Sequence, residues 1–112
     1  MNPKITSEEL SSRADKAMKI LESCTLCPNN CKVNRPKGQL GFCKSGAKML
    51  VSSYGPHFGE EPPLVGTKGS GTIFFAGCNM RCSYCQNADI SQTDEGKKAS
   101  RETSEDELAR MM

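Results

Sequence analysis

Leu10, Ala14, Ala17, Met18 and Leu21 return every three or four residues, which lines them up along one stripe of an α-helix. Ahead of them, Thr6-Ser7-Glu8-Glu9 reads as a capping box with Thr6 at N-cap and Glu9 at N3. The pattern predicts an amphipathic helix over 7–22. Its Leu and Met stripe is expected to pack on a core supplied by the rest of the protein.

The period then breaks. Residues 24–46 hold four cysteines among Pro28, Pro36, Gly38, Gly41 and Gly46, a loop composition that something must staple. Lys48 to Tyr54, with Met49, Leu50 and Val51 apolar, predicts a short strand. Gly55 to Gly71 carries three prolines and five glycines, so it is expected to be extended or turning. Thr72-Ile73-Phe74-Phe75 is β-branched and aromatic, the composition of a buried strand, and runs straight into Gly77-Cys78. Asp89 to Gln92 reads as a short extended piece and Thr93 to Lys98 as an exposed polar stretch. Ser104-Glu105-Asp106-Glu107 is a second capping box. The helix beginning at Leu108 reaches Met112 inside its second turn, which reads as an element cut short, because so short a helix has little stability of its own. Three segments result: an N-terminal helix over 1–23, a four-cysteine module over 24–46, and a strand-led segment over 47–112.

Composition narrows the classes. The 112 residues suit one small domain and fall short of the roughly 200 of a complete α/β barrel. With 36% apolar residues, 5% aromatic and no Trp, the core should be thin and supplemented by metal. A net charge of +2 from 15 basic and 13 acidic residues gives no argument for a nucleic acid or membrane partner, and neither is expected. No apolar run of about 18 residues predicts a membrane span, and Met1 to Leu10 lacks the apolar region of a signal peptide. The expectation is a protein of the reducing cytoplasm, where cysteines serve as metal ligands rather than disulfides. Their number, seven, is odd and argues against full pairing.

The sharpest chemical signal is Gly77-Cys78-Asn79-Met80-Arg81-Cys82-Ser83-Tyr84-Cys85-Gln86-Asn87, a CxxxCxxC. Three thiolates on one short loop leave tetrahedral zinc a ligand short. They suffice for three irons of a cubane, whose fourth iron then stays open for chemistry. Gly77 allows close backbone approach, and Arg81 either offsets the cluster's negative charge or is a solvated surface residue. A strand followed by a Gly-led loop also places a site at a strand's C-terminal end, where α/β folds put theirs. The alternative is zinc completed by a distant fourth ligand such as His57, which otherwise reads as a hydrogen-bonding loop residue. Glu60 and Glu61 are most simply solvated or paired with a nearby Lys.

The run CNMRCSYC resembles the cluster loop of radical S-adenosylmethionine enzymes, including the aromatic Tyr84 just before the last cysteine. The stretch Gly55-Pro56-His57-Phe58-Gly59-Glu60-Glu61-Pro62-Pro63, then Gly69 to Phe75, the loop and Gln86-Asn87 resemble the branch related to pyruvate formate-lyase activating enzymes. The likeness covers roughly residues 24–112. It implies an α/β fold, the N-terminal part of a partial (β/α) barrel of the radical SAM type with the cluster loop after its first strand. It implies that Cys78, Cys82 and Cys85 each bind one iron of a 4Fe-4S cluster whose fourth iron chelates S-adenosylmethionine. One electron then cleaves the sulfonium C–S bond, and the 5′-deoxyadenosyl radical abstracts a hydrogen atom from substrate. Tyr84 would lie beside the adenine; its other reading is an ordinary packed aromatic. An electron donor such as flavodoxin or ferredoxin and a protein or peptide substrate are also implied. Later strands would carry the remaining cofactor contacts, so the 112-residue chain alone is expected to bind S-adenosylmethionine weakly or not at all.

Cys24-x2-Cys27-x3-Cys31-x11-Cys43 is a separate constellation. Four thiols within 20 residues suit tetrahedral zinc or a second, fully ligated cluster. The spacing departs from the bacterial ferredoxin run, and free thiols stay open as a third reading. Either metal would order a segment too poor in apolar residues to fold alone, with Asn29 to Arg35 as exposed loop. The rival to an enzyme is a small zinc-bound interaction module in which all seven cysteines are structural, and a weaker third reading is the inactive product of a truncated gene.

Overall fold

The structure is a computed structural model that describes residues 5–112. Helix α1 (Ser7–Ile20) is followed by a 3-10 turn (Leu21–Ser23), a long cysteine-bearing loop and strand β1 (Met49–His57). A single turn α2 (Pro62–Val65) leads to strand β2 (Ser70–Phe75), and the cysteine loop after it leads to α3 (Ala88–Ser91), α4 (Asp94–Ala99), β3 (Arg101–Thr103) and α5 (Glu105–Met111). The three strands form one antiparallel sheet in the order β2-β1-β3. Among the described residues there is no parallel pair.

Helix α1 begins at the expected N-cap, with Thr6 Oγ1 accepting the Glu9 N–H at 3.2 Å, but the Glu9 carboxylate pairs with Arg13 at 2.6 Å, so the capping box is half made. Its apolar stripe is not packed: Leu10 and Met18 are exposed and no residue of the helix is buried. The core is the central strand and its flanks. Among the described residues, Val51, Ala76, Cys24 and Thr103 are the buried ones, and no large side chain is fully enclosed. The radius of gyration is 16.5 Å, against about 13 Å for a compact chain of 100 residues. So thin a core fits the composition.

Strand β1 runs three residues beyond its expected end at Tyr54. It pairs Val51 with Phe75 and His57 with Ser70, with a bulge between Val51 and Ser53. Pro56 is tolerated within this central strand because β3 pairs only with Met49–Val51. Beyond that point β1 has one neighbour, and the missing N–H of Pro56 costs no ladder bond on the open side.

Two expectations are corrected. Strand β2 is a sheet edge rather than a buried strand, with Phe74 and Phe75 exposed. The expected extended piece at Asp89–Gln92 is the helical turn α3, where Ser91 N and Gln92 N donate to the carbonyls of Asn87 and Ala88. The polar stretch Thr93–Lys98 holds α4, started by the Thr93 hydroxyl accepting Gly96 N–H at 3.0 Å. Gly96 packs against the Asp89 carbonyl so closely that any Cβ would collide, so the α3–α4 corner depends on that glycine. Strand β3, too short and polar to show a strand pattern, goes unseen in the sequence. The second capping box is complete, with the Ser104 hydroxyl and the Glu107 carboxylate each accepting the other's backbone N–H.

Candidate metal centre

The CxxxCxxC loop leaves the sheet at Ala76, whose N–H donates to Leu50 O at 2.9 Å. Gly77 turns the chain in the left-handed region, φ +83°, and its N–H donates to Ile90 O at 3.0 Å, closing the loop at its base. At the far side Cys82 O accepts the Cys85 N–H at 3.3 Å and the Gln92 side-chain amide at 2.8 Å. The loop is thus anchored by β1, α3 and Gln92, and its three cysteines are all half-buried.

Two thiols of the trio meet a polar neighbour. Met80 N–H points to Cys78 Sγ at 3.4 Å, and Cys85 Sγ lies 3.4 Å from Ser91 Oγ. The backbone N–H groups of Met80 and Arg81 hold the Cys78 thiol below its ordinary range, outweighing burial and the nearby Cys43. Lowered thiols beside backbone donors are what metal ligation requires, since the thiolate is the ligand.

In the N-terminal module, Cys24 N–H donates to Val33 O at 3.0 Å and Lys32 N–H returns to Cys24 O at 2.9 Å, burying Cys24 under a tight loop. Asn30 and Lys32 take positive φ to make that turn. Cys31 Sγ accepts the Phe42 N–H at 3.3 Å, beside Gly41, where a Cβ would come within 2.8 Å of that sulfur. The Arg35 guanidinium donates to Cys43 Sγ at 3.2 Å and to Ser45 O at 3.0 Å, and it also contacts the Cys24 thiol. Burial pushes the Cys43 thiol up, but the Ser45 backbone N–H, the Ser45 hydroxyl and Arg35 together bring it below its ordinary value. Cys27 is lowered chiefly by the Asn29 backbone N–H.

The donor chemistry therefore fits a soft, thiophilic metal in both places. Arg35 Nε is buried without a hydrogen-bond partner, a demand that further negative charge among these sulfurs would meet. The thiols are not drawn together, however. Among the described residues no three His, Cys, Asp or Glu side chains lie at metal-binding separation, and all seven cysteines are free. A bound group would have to gather the sulfurs of each loop.

The geometry removes one alternative. His57 pairs with Ser70 at one end of the β1–β2 ladder, whereas the cysteine loop leaves from the other end beside Leu50 and Phe75. Six strand residues separate them, about 20 Å at the usual rise, so His57 cannot complete a zinc site with the trio. Its Nε2 instead lies 3.9 Å from Glu60 Oε1, a carboxylate that the sequence left either solvated or paired with a lysine. Tyr84 is 87% exposed, which rules out the packed-aromatic reading. Arg81, with φ +54°, is solvent-exposed and lies over the Phe42 ring at 5.8 Å from its centroid. The sequence reading missed Asn29, Arg35, Phe42, Ser91 and Gln92. Their contacts span 6 to 50 residues, and no local pattern announces them.

Comparison with known proteins bears on the C-terminal half. Residues 65–112 match the family model of the 4Fe-4S single cluster domain. That segment contains Cys78, Cys82 and Cys85, and the match supports iron–sulfur binding there. The chain is also similar to two uncharacterized proteins of Methanocaldococcus jannaschii. It is 41% identical to MJ0674 over 83 residues, covering 74% of this chain and 23% of that protein. It is 29% identical to MJ0808 over 98 residues, covering 76% of this chain and 29% of that protein. The chain thus spans about a quarter of the length of the curated relatives it matches. No solved structure matches it significantly. No helix among the described residues is long and apolar enough to cross a membrane.

Proposed function

We propose that this chain is the N-terminal, cluster-bearing part of a radical S-adenosylmethionine protein of the branch related to pyruvate formate-lyase activating enzymes. The observation that carries the reading is the three-thiol loop after β2, inside a segment that matches a 4Fe-4S single cluster domain. When bound, a reduced cluster would supply the one electron needed for reductive cleavage of S-adenosylmethionine and hydrogen-atom abstraction from substrate. Cys78, Cys82 and Cys85 are the residues that would hold it, leaving one iron for the cofactor.

The chain's own groups have separate tasks. The backbone N–H groups of Met80 and Arg81 favour the Cys78 thiolate, and the Gln92 amide fixes the Cys82 carbonyl. The Tyr84 ring, exposed beside the loop, is free to cover the adenine. The four N-terminal cysteines hold zinc or an auxiliary cluster. An α/β barrel, a flavodoxin- or ferredoxin-like electron donor and a protein or peptide substrate belong to the reading of the longer protein and rest on resemblance.

The test uses the longer protein containing this segment, reconstituted without oxygen. Dithionite and S-adenosylmethionine should yield 5′-deoxyadenosine and methionine, and the Cys78→Ala variant should yield none. Equal product from both would refute the assignment. The 112-residue chain alone should show no micromolar binding of S-adenosylmethionine by titration calorimetry.

A further inference from the structure

The four-cysteine module and the CxxxCxxC loop belong to different segments of the sequence, yet the fold fastens them together. The Asn29 side-chain amide donates to the Asn79 carbonyl at 2.8 Å, and the same nitrogen stands 3.7 Å from Cys27 Sγ. Arg81 lies over Phe42. Gly77 abuts the Cys43 carbonyl and the Ser45 hydroxyl, while Lys97 Nζ reaches the carbonyls of Cys43 and Lys44 at 3.4 Å each. Asn79, Arg81, Phe42 and Gly77 each adjoin a cysteine in sequence, and Asn29 lies two residues from Cys27. Contacts between the modules therefore involve residues at or next to the cysteines that present the sulfurs.

One of these contacts has a specific consequence. The peptide group whose oxygen accepts from Asn29 joins Asn79 to Met80, and its N–H is the one directed at Cys78 Sγ at 3.4 Å. A donor on the carbonyl polarises that peptide and strengthens its N–H toward the sulfur, and it also fixes the peptide's orientation.

We infer that Asn29 is a positioning residue for the cluster loop: acting through the Asn79–Met80 peptide, it orients and strengthens the N–H donated to the Cys78 sulfur, and so couples the four-cysteine module to the cluster. The inference rests on the proposed cluster reading. Asn29 itself ligates nothing. Hydrogen bonds to cluster sulfurs help set reduction potential, and outer-shell partners of metal ligands govern retention of the metal.

The test reconstitutes the chain with iron and sulfide without oxygen and compares wild type with Asn29→Ala and with Asn29→Asp, which keeps the shape but loses the donor. Iron release to a chelator and the midpoint potential of the cluster are read together. Both variants should release iron about tenfold faster, and both should have a more negative potential. Asn29 is solvent-exposed, so unchanged far-UV circular dichroism is expected. Should the alanine variant misfold, the isosteric aspartate variant carries the comparison. Release rates and potentials equal to wild type in a fully iron-loaded variant would overturn the coupling and leave the cluster assignment standing. A wild-type chain that takes up no iron would overturn the cluster assignment first, and the coupling with it.

Discussion

Replacing Gly77 by alanine isolates one of the contacts at which the two cysteine modules meet. Gly77 has φ +83°, and a Cβ there would lie 2.7 Å from Ser45 Oγ and 3.0 Å from the Cys43 carbonyl. The left-handed conformation alone costs a residue with a Cβ about 1–2 kcal/mol. Crowding adds to this because the Cys43 carbonyl is backbone, is held by Lys97, and cannot swing away as a side chain could; overpacking of this kind costs about 1–3 kcal/mol. The sum is about 2–5 kcal/mol. Two controls separate the parts. Gly38 has φ +81° with nothing within 4 Å of its Cβ position, and Gly46 has open space and no positive φ. Gly38→Ala should therefore cost only the backbone part, about 1–2 kcal/mol, and Gly46→Ala should stay within about 0.5 kcal/mol of wild type. Urea unfolding of the metal-reconstituted chain, followed by circular dichroism, gives the three values. The reasoning fails if Gly77→Ala is no worse than Gly38→Ala, because the close approach of the modules would then have no energetic content.

Other consequences concern charge and capping. In the metal-free, reduced chain, Arg35→Gln should raise the pH at which Cys43 is alkylated, because the guanidinium that donates to its sulfur at 3.2 Å is removed. Mass spectrometry after a pH series of alkylation reads the midpoint, and an unmoved midpoint would contradict the assigned contact. At the C-terminal end, Ser104→Ala removes the α5 cap and should cost about 1 kcal/mol of local stability, seen as faster amide exchange in Glu105–Met111. The Glu107 carboxylate, held low by the Ser104 backbone N–H and hydroxyl, adds a pH dependence. Its folded value lies below its unfolded one, so its contribution is complete above the unfolded value of about 4.3 and is lost as pH falls through the folded one. Amide protection of α5 should therefore fall in acid, and protection unchanged down to pH about 2 would contradict the capping geometry.

What the sequence made legible was local. Thr6 and Ser104 announced helix starts because a cap is written within four residues. Thr72–Phe75 announced a strand because β-branched and aromatic residues stood together. The cysteine spacing named a candidate centre because ligands on one loop are a property of sequence. What was hidden depends on distant pairing. Strand β3 exists because Met49–Val51 offers an edge to Arg101–Thr103, and nothing in the three-residue segment itself asks for a strand. The exposure of Phe74 and Phe75 follows from β2 being an edge, which apolar composition cannot report. Asn29 looked like loop filler between cysteines, and its hydrogen bond to Asn79 needs the fold to bring residues 50 apart together. The distance of His57 from the cysteine loop is likewise set by ladder register, not by its place in a Pro/Gly-rich stretch.

Metal analysis tests most directly whether Cys78, Cys82 and Cys85 hold a 4Fe-4S cluster. Iron and acid-labile sulfide are measured per chain after oxygen-free reconstitution, in wild type and in Cys82→Ala, with Cys24, Cys27, Cys31 and Cys43 replaced by serine in both so that only this loop can respond. A brown protein with about four irons and four sulfides is expected, with both lost in the Cys82→Ala variant. A colourless protein holding only zinc, or an iron content that Cys82→Ala leaves unchanged, would contradict the assignment.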